Sequence, residues 1–360
     1  MSPTLPPVRT RLTDLAEQAG VSTATVSRVL NGKHGVSAQA RQAVLAALDM
    51  LGYDRPERLR TRSAGLVGLV VPELSNPVFP AFAQAIESML TERGYTSVLC
   101  TQSPGGTTED QYVETLLEHG VDGIVFVSGL HADTTMSTER YHRLRGRGVP
   151  IVLVNGHVDD IDAPSMSTDD AAALDLAFRH LTSLGHRRIG LAIGPERFIP
   201  AQRKLAAFRA NLAQLGVEDP QPHIVSTLFT VEGGQAAALE LIDSGHTAVI
   251  CGSDLMALGA IRAAHARGMS VPRDLSVVGF DDSPLIAFTD PPLTTVRQPV
   301  LAMAHAAVAA LVAEINQTPT SRIELKFHPE LIVRASTGVA PAAPDEAAAP
   351  ADAPAVAPVR

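Results

Sequence analysis

From Leu66 onward, short apolar runs recur along the chain: LVGLVV at 66–71, GIVFV at 123–127, IVLV at 151–154, IGLAI at 189–193, AVIC at 248–251 and SVVGF at 276–280. Runs of this length without regular polar alternation predict strands buried on both faces, the habit of parallel sheets. Between them, residues 78–93, 109–119, 169–184, 203–215, 233–244, 255–267 and 300–315 show helical periodicity. Strand and helix in alternation predict βαβ units and a layered α/β architecture with helices on both sheet faces. Six or more strands over about 270 residues suit two lobes better than one. Beyond residue 338 the periodicity stops, and the Ala/Pro/Asp-rich stretch 339–360 is predicted to be disordered.

The first fifty residues follow a different pattern. Thr13 is placed to cap a first helix whose inward positions are Leu15, Ala16 and Ala19, and Gly20 supplies the turn after it. Ser22 caps a second helix in which Val26, Val29 and Leu30 form the buried stripe, so that Ala24, Ser27, Arg28 and Asn31 face the other way. After NGKHG, Ser37 caps a third helix with Val44, Leu45, Leu48 and Leu51 facing inward. Small residues at the turn let two helices cross closely, as in a helix-turn-helix. A plain helical bundle with solvated polar residues would share this pattern. The outward Arg28 among small neighbours instead allows the second helix to sit deep in a major groove and give two hydrogen bonds to guanine.

Charge sharpens the contrast between the two regions. The chain of 360 residues has a net charge of −9, but residues 1–65 hold 9 basic against 5 acidic side chains and the remainder 20 against 33. A basic module on an acidic body fits contact with phosphate at one end and with something else at the other. No apolar run is long enough to span a bilayer and the first residues lack a secretory pattern, which places the protein in the cytoplasm without a membrane partner. The two cysteines, Cys100 and Cys251, end apolar runs and read as reduced, half-buried thiols.

LTDLAEQAGVSTATVSRVLNG followed by VSAQARQAVLAALDMLGY closely resembles the headpiece of the lactose-repressor/galactose-repressor (LacI/GalR) family. Residues 66–82 resemble the first regulatory strand and loop of that family, and LGHRRIGLAIGP, the stretch 251–282 and PPLTTVRQP continue the match, which covers residues 10–338. The resemblance implies a three-helix helix-turn-helix headpiece over 10–53 and a hinge over 54–65. A two-lobed, periplasmic-binding-protein-like domain with parallel sheets would follow over 66–338, for effector binding and dimerisation. It places the first lobe near 66–158 plus 293–320 and the second near 159–292 plus 321–338. It implies a homodimer reading pseudo-palindromic double-stranded operator DNA through Thr23, Ala24, Ser27, Arg28 and Asn31. The sign of regulation stays open, with repression the default.

Ligands of open α/β sheets bind outside the carboxyl ends of the strands. Asp281 follows SVVGF, Ser253 lies just beyond AVIC and Asn155 follows IVLV. A carboxylate at Asp281 suits two neighbouring hydroxyls of a sugar or ribose, and all three positions match effector contacts of the family. Phe79 and Phe229 match places where rings pack on the ligand, although lobe core would use them equally well. Relatives usually fork an arginine onto the effector, whereas the match here falls on Lys204, with Arg203 beside it. Lysine offers a point charge rather than a planar fork, so a weaker or redirected contact is expected. Asp282 points away from Asp281 on extended chain, against a catalytic pair.

Three functional classes compete on these residues. An enzyme would need a motif such as GxSxG, HExxH or a P-loop, and none is present, so no catalytic residue, cofactor or metal ligand is assigned. His186 within GHRRIG reads as a residue between a helix end and a strand. A transporter's sugar-binding protein would need an export signal and no residues 11–52. The regulator accounts for both ends of the chain.

The linker departs from the family pattern. The family's hinge segment folds on DNA and inserts a leucine into the minor groove; the matching position here is Arg62. Pro56 and Glu57 suit a helix start, Arg55, Arg58 and Arg62 form one basic face, and Leu59 is the only large apolar residue between Tyr53 and Leu66. Two readings stay open: Leu59 as a wedge in a helix formed only on DNA, or a flexible basic tether.

Overall fold

The computed structural model describes residues 12–31, 36–51, 65–102 and 105–341. The chain divides between residues 64 and 65 into two compact units. The first holds α1 (Leu12–Ala19), α2 (Thr23–Leu30) and α3 (Ala38–Met50). The core of these three helices is small: Leu15, Ala16, Val26, Val29, Val44, Ala47 and Leu48 are buried, with Ala19, Leu30 and Leu45 packed against them. Gly20, at φ +62°, makes the turn between the first two helices, a conformation that costs glycine least. Ser22 caps α2 by accepting a 3.1 Å bond from the Thr25 amide, and Ser37 accepts from the Ala40 amide at 3.2 Å.

Two expectations for this unit are corrected. Thr13 lies inside α1, which already includes Leu12, so it is not the cap. Leu51 falls just past the end of α3 and is 39% exposed, while Ala47, three residues after Val44 on the same face, takes the inward position.

The second unit contains two six-stranded sheets. The first has the order β11-β5-β4-β3-β1-β2, and its strands are β1 (Gly65–Val71), β2 (Tyr95–Thr101), β3 (Gly123–Val127), β4 (Ile151–Val154), β5 (Ser165–Thr168) and β11 (Glu324–Phe327). The second has the order β12-β10-β9-β8-β6-β7, built from β6 (Ile189–Ile193), β7 (Ile224–Ser226), β8 (Ala248–Cys251), β9 (Ser276–Asp281), β10 (Thr294–Arg297) and β12 (Glu330–Ile332). All neighbours run parallel except β12 against β10. Helices α4 (Val78–Glu92) and α11 (Val300–Ile315) cover one face of the first sheet, and α5 (Glu109–Glu118) and α6 (Glu139–Gly146) the other. The second sheet lies between α7 (Asp170–Ser183) with α8 (Ile199–Gln214) and α9 (Val231–Asp243) with α10 (Asp254–Ala266). Sheets covered on both faces explain why the central strands are continuous apolar runs.

The chain crosses between lobes after Thr168, after Arg297 and after Phe327. Each crossing comes one strand later than the sequence suggested: β5 and β11 belong to the first lobe, and β10 belongs to the second. The crossings are tied together, with the Asp169 amide donating to the Phe327 carbonyl at 2.9 Å and the Thr168 hydroxyl to Gln298 Oε1 at 2.9 Å. The body also extends past 338, because the Ala340 amide donates to the Leu184 carbonyl at 2.9 Å. The stretch 342–360, most of the expected tail, lies outside the described residues, as does the hinge with Arg55, Arg58, Leu59 and Arg62.

Candidate functional site

In the first unit, burying Val26 and Val29 fixes the rotation of α2, and that rotation turns Thr23, Ala24, Arg28 and Asn31 to solvent with Ser27 half-buried. Arg28 makes no hydrogen bond or ion pair among the described residues, so its guanidinium is available to a partner. Asn31 is engaged locally: it is the C-cap of α2, and its Nδ2 donates to the Ser27 carbonyl at 2.8 Å. The helix thus presents a small, polar, singly charged face, with Ser22 satisfying its N-terminus.

In the second unit, both sheets reverse strand order at corresponding points, β1 next to β3 and β6 next to β8. The carboxyl ends of these strands open onto one cavity of about 180 Å³ between the lobes. Phe79, Asn155, Lys204, Phe229, Ser253 and Asp281 all line it. A topological switch point generates such a crevice because the connections leave its two central strands in opposite directions. Strand ends here adopt uncommon backbone: Ser128, Asn155 and Asp281 have φ of 47°, 61° and 124°. Left-handed backbone at non-glycine residues is costly and concentrates at ligand sites.

Asp281 is 6% exposed. Its Oδ1 accepts a 2.7 Å bond from Gln298 Nε2, whereas Oδ2 is buried and has no partner. Burial pushes its pKa well up, reinforced by the neighbouring Asp254 carboxylate, and the Gln298 bond, the Lys204 charge and the nearby Asn76 side chain only partly oppose this. Asp254 is itself raised to about 6 by burial, although it accepts from the Ser283 amide at 2.7 Å and the Thr295 hydroxyl at 2.6 Å. Asp282 is turned away and clamped by Arg297 and Arg334 at 2.7 and 2.6 Å. Ser253 doubles as the N-cap of α10, accepting from the Met256 amide at 3.3 Å.

Among the described residues, Lys204 is the only basic side chain lining the cavity, and it is already engaged. Its ammonium pairs with the buried Asp170 carboxylate and lies 3.8 Å from the centroid of the Phe280 ring. Arg203, its neighbour on α8, turns elsewhere and forks onto Glu324 at 2.6 and 3.1 Å. Phe229 fits because Gly194 has no Cβ; one would lie 2.0 Å from the ring. Phe198 stands beside Phe229, with ring centroids 6.4 Å apart. Sequence reasoning missed Gln298, Asp170, Phe198 and Phe280. Gln298, inside the matched PPLTTVRQP, and Phe280, at the end of the SVVGF run within the matched stretch 251–282, carried a usable signal.

The remaining polar groups hold structure. His186 ties a helix end to a strand, bonding Thr247 at 2.8 Å and Ser276 at 2.9 Å, and Cys100 and Cys251 are buried and unpaired. Among the described residues no helix is long and apolar enough to cross a membrane.

A helix-turn-helix unit followed by a two-lobed body with a ligand-sized cleft defines a class: effector-controlled regulators of transcription. The description "Bacterial regulatory proteins, lacI family" matches residues 11–56, and "Periplasmic binding protein-like domain" matches 178–337. The HTH-type transcriptional regulator MalR of Streptomyces coelicolor is 62% identical over 336 residues, covering 92% of this chain and 98% of its own. Among solved structures, a transcriptional regulator CelR–cellobiose complex is 32% identical with TM-score 0.68, covering 91% of this chain and 100% of that one. The lac repressor dimer bound to operator and the anti-inducer ONPF is 27% identical with TM-score 0.66, covering 91% and 99%. The chain belongs to the LacI family of DNA-binding transcriptional regulators.

Proposed function

We propose that this regulator is a cytoplasmic repressor, with no catalytic role, whose homodimer binds pseudo-palindromic operator DNA and whose effector is an uncharged carbohydrate. Two copies are required because one headpiece reads only a few base pairs, and a two-fold protein matches a two-fold site. Thr23, Ala24, Ser27, Arg28 and Asn31 make the base-facing surface of α2. Leu59 enters the minor groove as a wedge while Arg55, Arg58 and Arg62 hold phosphate, which Leu59→Ala tests through loss of operator bending; unchanged bending favours the tether.

The effector reading is carried by one observation: six residues scattered from 79 to 281 line a single cavity in which, among the described residues, the one cation is neutralised by Asp170. Asp281 Oδ2 accepts from sugar hydroxyls, Asn155 and Ser253 add polar contacts, and Phe79 and Phe229 cover apolar sugar faces. A phosphate would find acidic Glu73 and Asp281 in the lining and, among the described residues, no spare cation. A thermal-shift screen tests this, since a ligand at 100 times its Kd stabilises by about 2.7 kcal/mol. Neutral mono- or oligosaccharides are expected to raise the melting temperature. Stabilisation by sugar phosphates alone would overturn the proposal.

A further inference from the structure

The three crossings join the lobes covalently and persist whatever the cleft does. A fourth link is noncovalent, so it must break before the lobes can separate. Asp133 and Thr134 follow β3 in the first lobe; Arg197 and Phe198 follow β6 in the second. Arg197 Nε donates to Asp133 Oδ2 at 2.7 Å, and the Arg197 carbonyl accepts from both the amide and the hydroxyl of Thr134 at 2.8 Å. Asp133 and Phe198 form an antiparallel bridge, and Gln202 Nε2 reaches Thr134 Oγ1 at 3.3 Å. Asp133 is pre-positioned, since its Oδ1 accepts from the Thr135 amide and hydroxyl at 3.0 and 2.6 Å. It is also 6% exposed, which makes its charge-assisted bond stronger than a surface ion pair.

The same turn touches the effector cavity. Phe198 and Ala132, next to Arg197 and Asp133 in sequence, both line it, and the Arg197 guanidinium lies 4.9 Å from the centroid of the Phe198 ring. Farther along α8 the division repeats, with Lys204 facing the cavity and Arg203 gripping Glu324 of β11. One segment therefore faces the ligand with some residues and grips the opposite lobe with others.

We infer that Asp133, Thr134 and Arg197 are positioning residues that form a latch holding the two lobes together across the cleft, without themselves touching the effector. A ligand packed against Phe198 steadies the turn that carries Arg197, so ligand and latch favour the same closed arrangement; that consequence rests on the cavity being the effector site. Closure shifts only by the difference in interaction between open and closed states, and these bonds exist in the closed state alone.

The test needs no effector, so it fails or succeeds separately from the reading of the cavity. Spin labels at Glu139→Cys on α6 and Ala206→Cys on α8, both exposed, report interlobe distance in the full chain, and the native cysteines are buried. Wild type should show a dominant short distance. Arg197→Gln and Asp133→Asn should each enlarge the long-distance population about tenfold or more, the scale of one lost charge-assisted bond. Arg197→Lys should stay closer to the wild-type distance distribution. Unchanged distances in both neutral variants would overturn the latch. So would a lower melting temperature with unchanged distances, which would mark the contact as merely structural.

Discussion

The headpiece and the cleft use polar residues in opposite ways. On α2 Thr23, Ala24, Arg28 and Asn31 stand in solvent with Ser27 half-buried, and although Asn31 bonds to Ser27, Arg28 has no partner among the described residues. In the cleft, Lys204, Ser253 and Asp281 are nearly inaccessible, and each already holds another part of the protein: Asp170, the α10 amides and Gln298. An exposed site acquires its specificity from the partner's shape, whereas a buried one is pre-arranged and leaves few atoms free, here Asp281 Oδ2. A substitution in the cleft should therefore cost more than one on α2.

The largest expected effect is at Asp281. Asp281→Ala removes the one buried carboxylate oxygen without a hydrogen bond among the described residues, and effector affinity should fall by about 100-fold or more, judged from the strength of hydrogen bonds to charged groups. DNA binding without effector should be nearly unchanged. Calorimetric titration with a sugar found by thermal shift reads the effect; equal affinity in the variant would remove Asp281 from the site.

Acid should act on the body far more than on the described headpiece residues, which include no histidine. His131 is 2% exposed, stacks edge-on with Tyr141 and is depressed from 6.5 to about 4 by burial, only partly opposed by the nearby Val154 carbonyl. Above pH 6.5 the ring is neutral whether folded or unfolded, and its contribution is fully present. As pH falls from 6.5 towards 4, only the unfolded chain takes up the proton, so the body loses about 3 kcal/mol from this residue. The raised Asp254 and Asp281 carboxyls act in the opposite direction over the same range, so the His131 contribution is read as the difference in urea-unfolding stability between wild type and His131→Phe; equal pH slopes would contradict the assignment.

Arg28→Ala should cost about 1–3 kcal/mol per half-site and relax base preference at one position, as for a lost bidentate guanine contact. Equal weakening on operator and random DNA would reduce Arg28 to a phosphate contact. Smaller still, Ser22→Ala should lower headpiece stability by about 1 kcal/mol through the lost cap, measurable by thermal melting, with no change expected in the body.

Central strands were legible in the sequence because both of their faces are buried in apolar surroundings. The missed strands β5 and β10 are equally buried but read SMST and TTVR. Their hydroxyls are satisfied by bonds that hydrophobicity does not register: Ser165 to His157 at 2.7 Å, Thr168 to Gln298 at 2.9 Å and Thr295 to Asp254 at 2.6 Å. Missing them placed the first two lobe crossings one strand early, and the third came early because β11, an edge strand reading ELKF and only partly buried, was missed as well. In the site, the resemblance identified residues that the cavity gathers, but not the partners that neutralise Lys204 or orient Asp281, since Asp170 and Gln298 approach from other elements. The interlobe grip of Arg197 was invisible for the same reason.

The central claim is that a ligand in the cleft changes how the headpieces hold DNA. It is tested most directly by selecting duplexes from a random pool with the full chain, then titrating the selected DNA with and without the stabilising sugar. The account predicts a two-fold symmetric consensus and an affinity that shifts about tenfold or more with sugar, within the usual range of coupling, while random DNA is unaffected. A sugar that fills the cavity and leaves affinity for the selected duplex unchanged would contradict it.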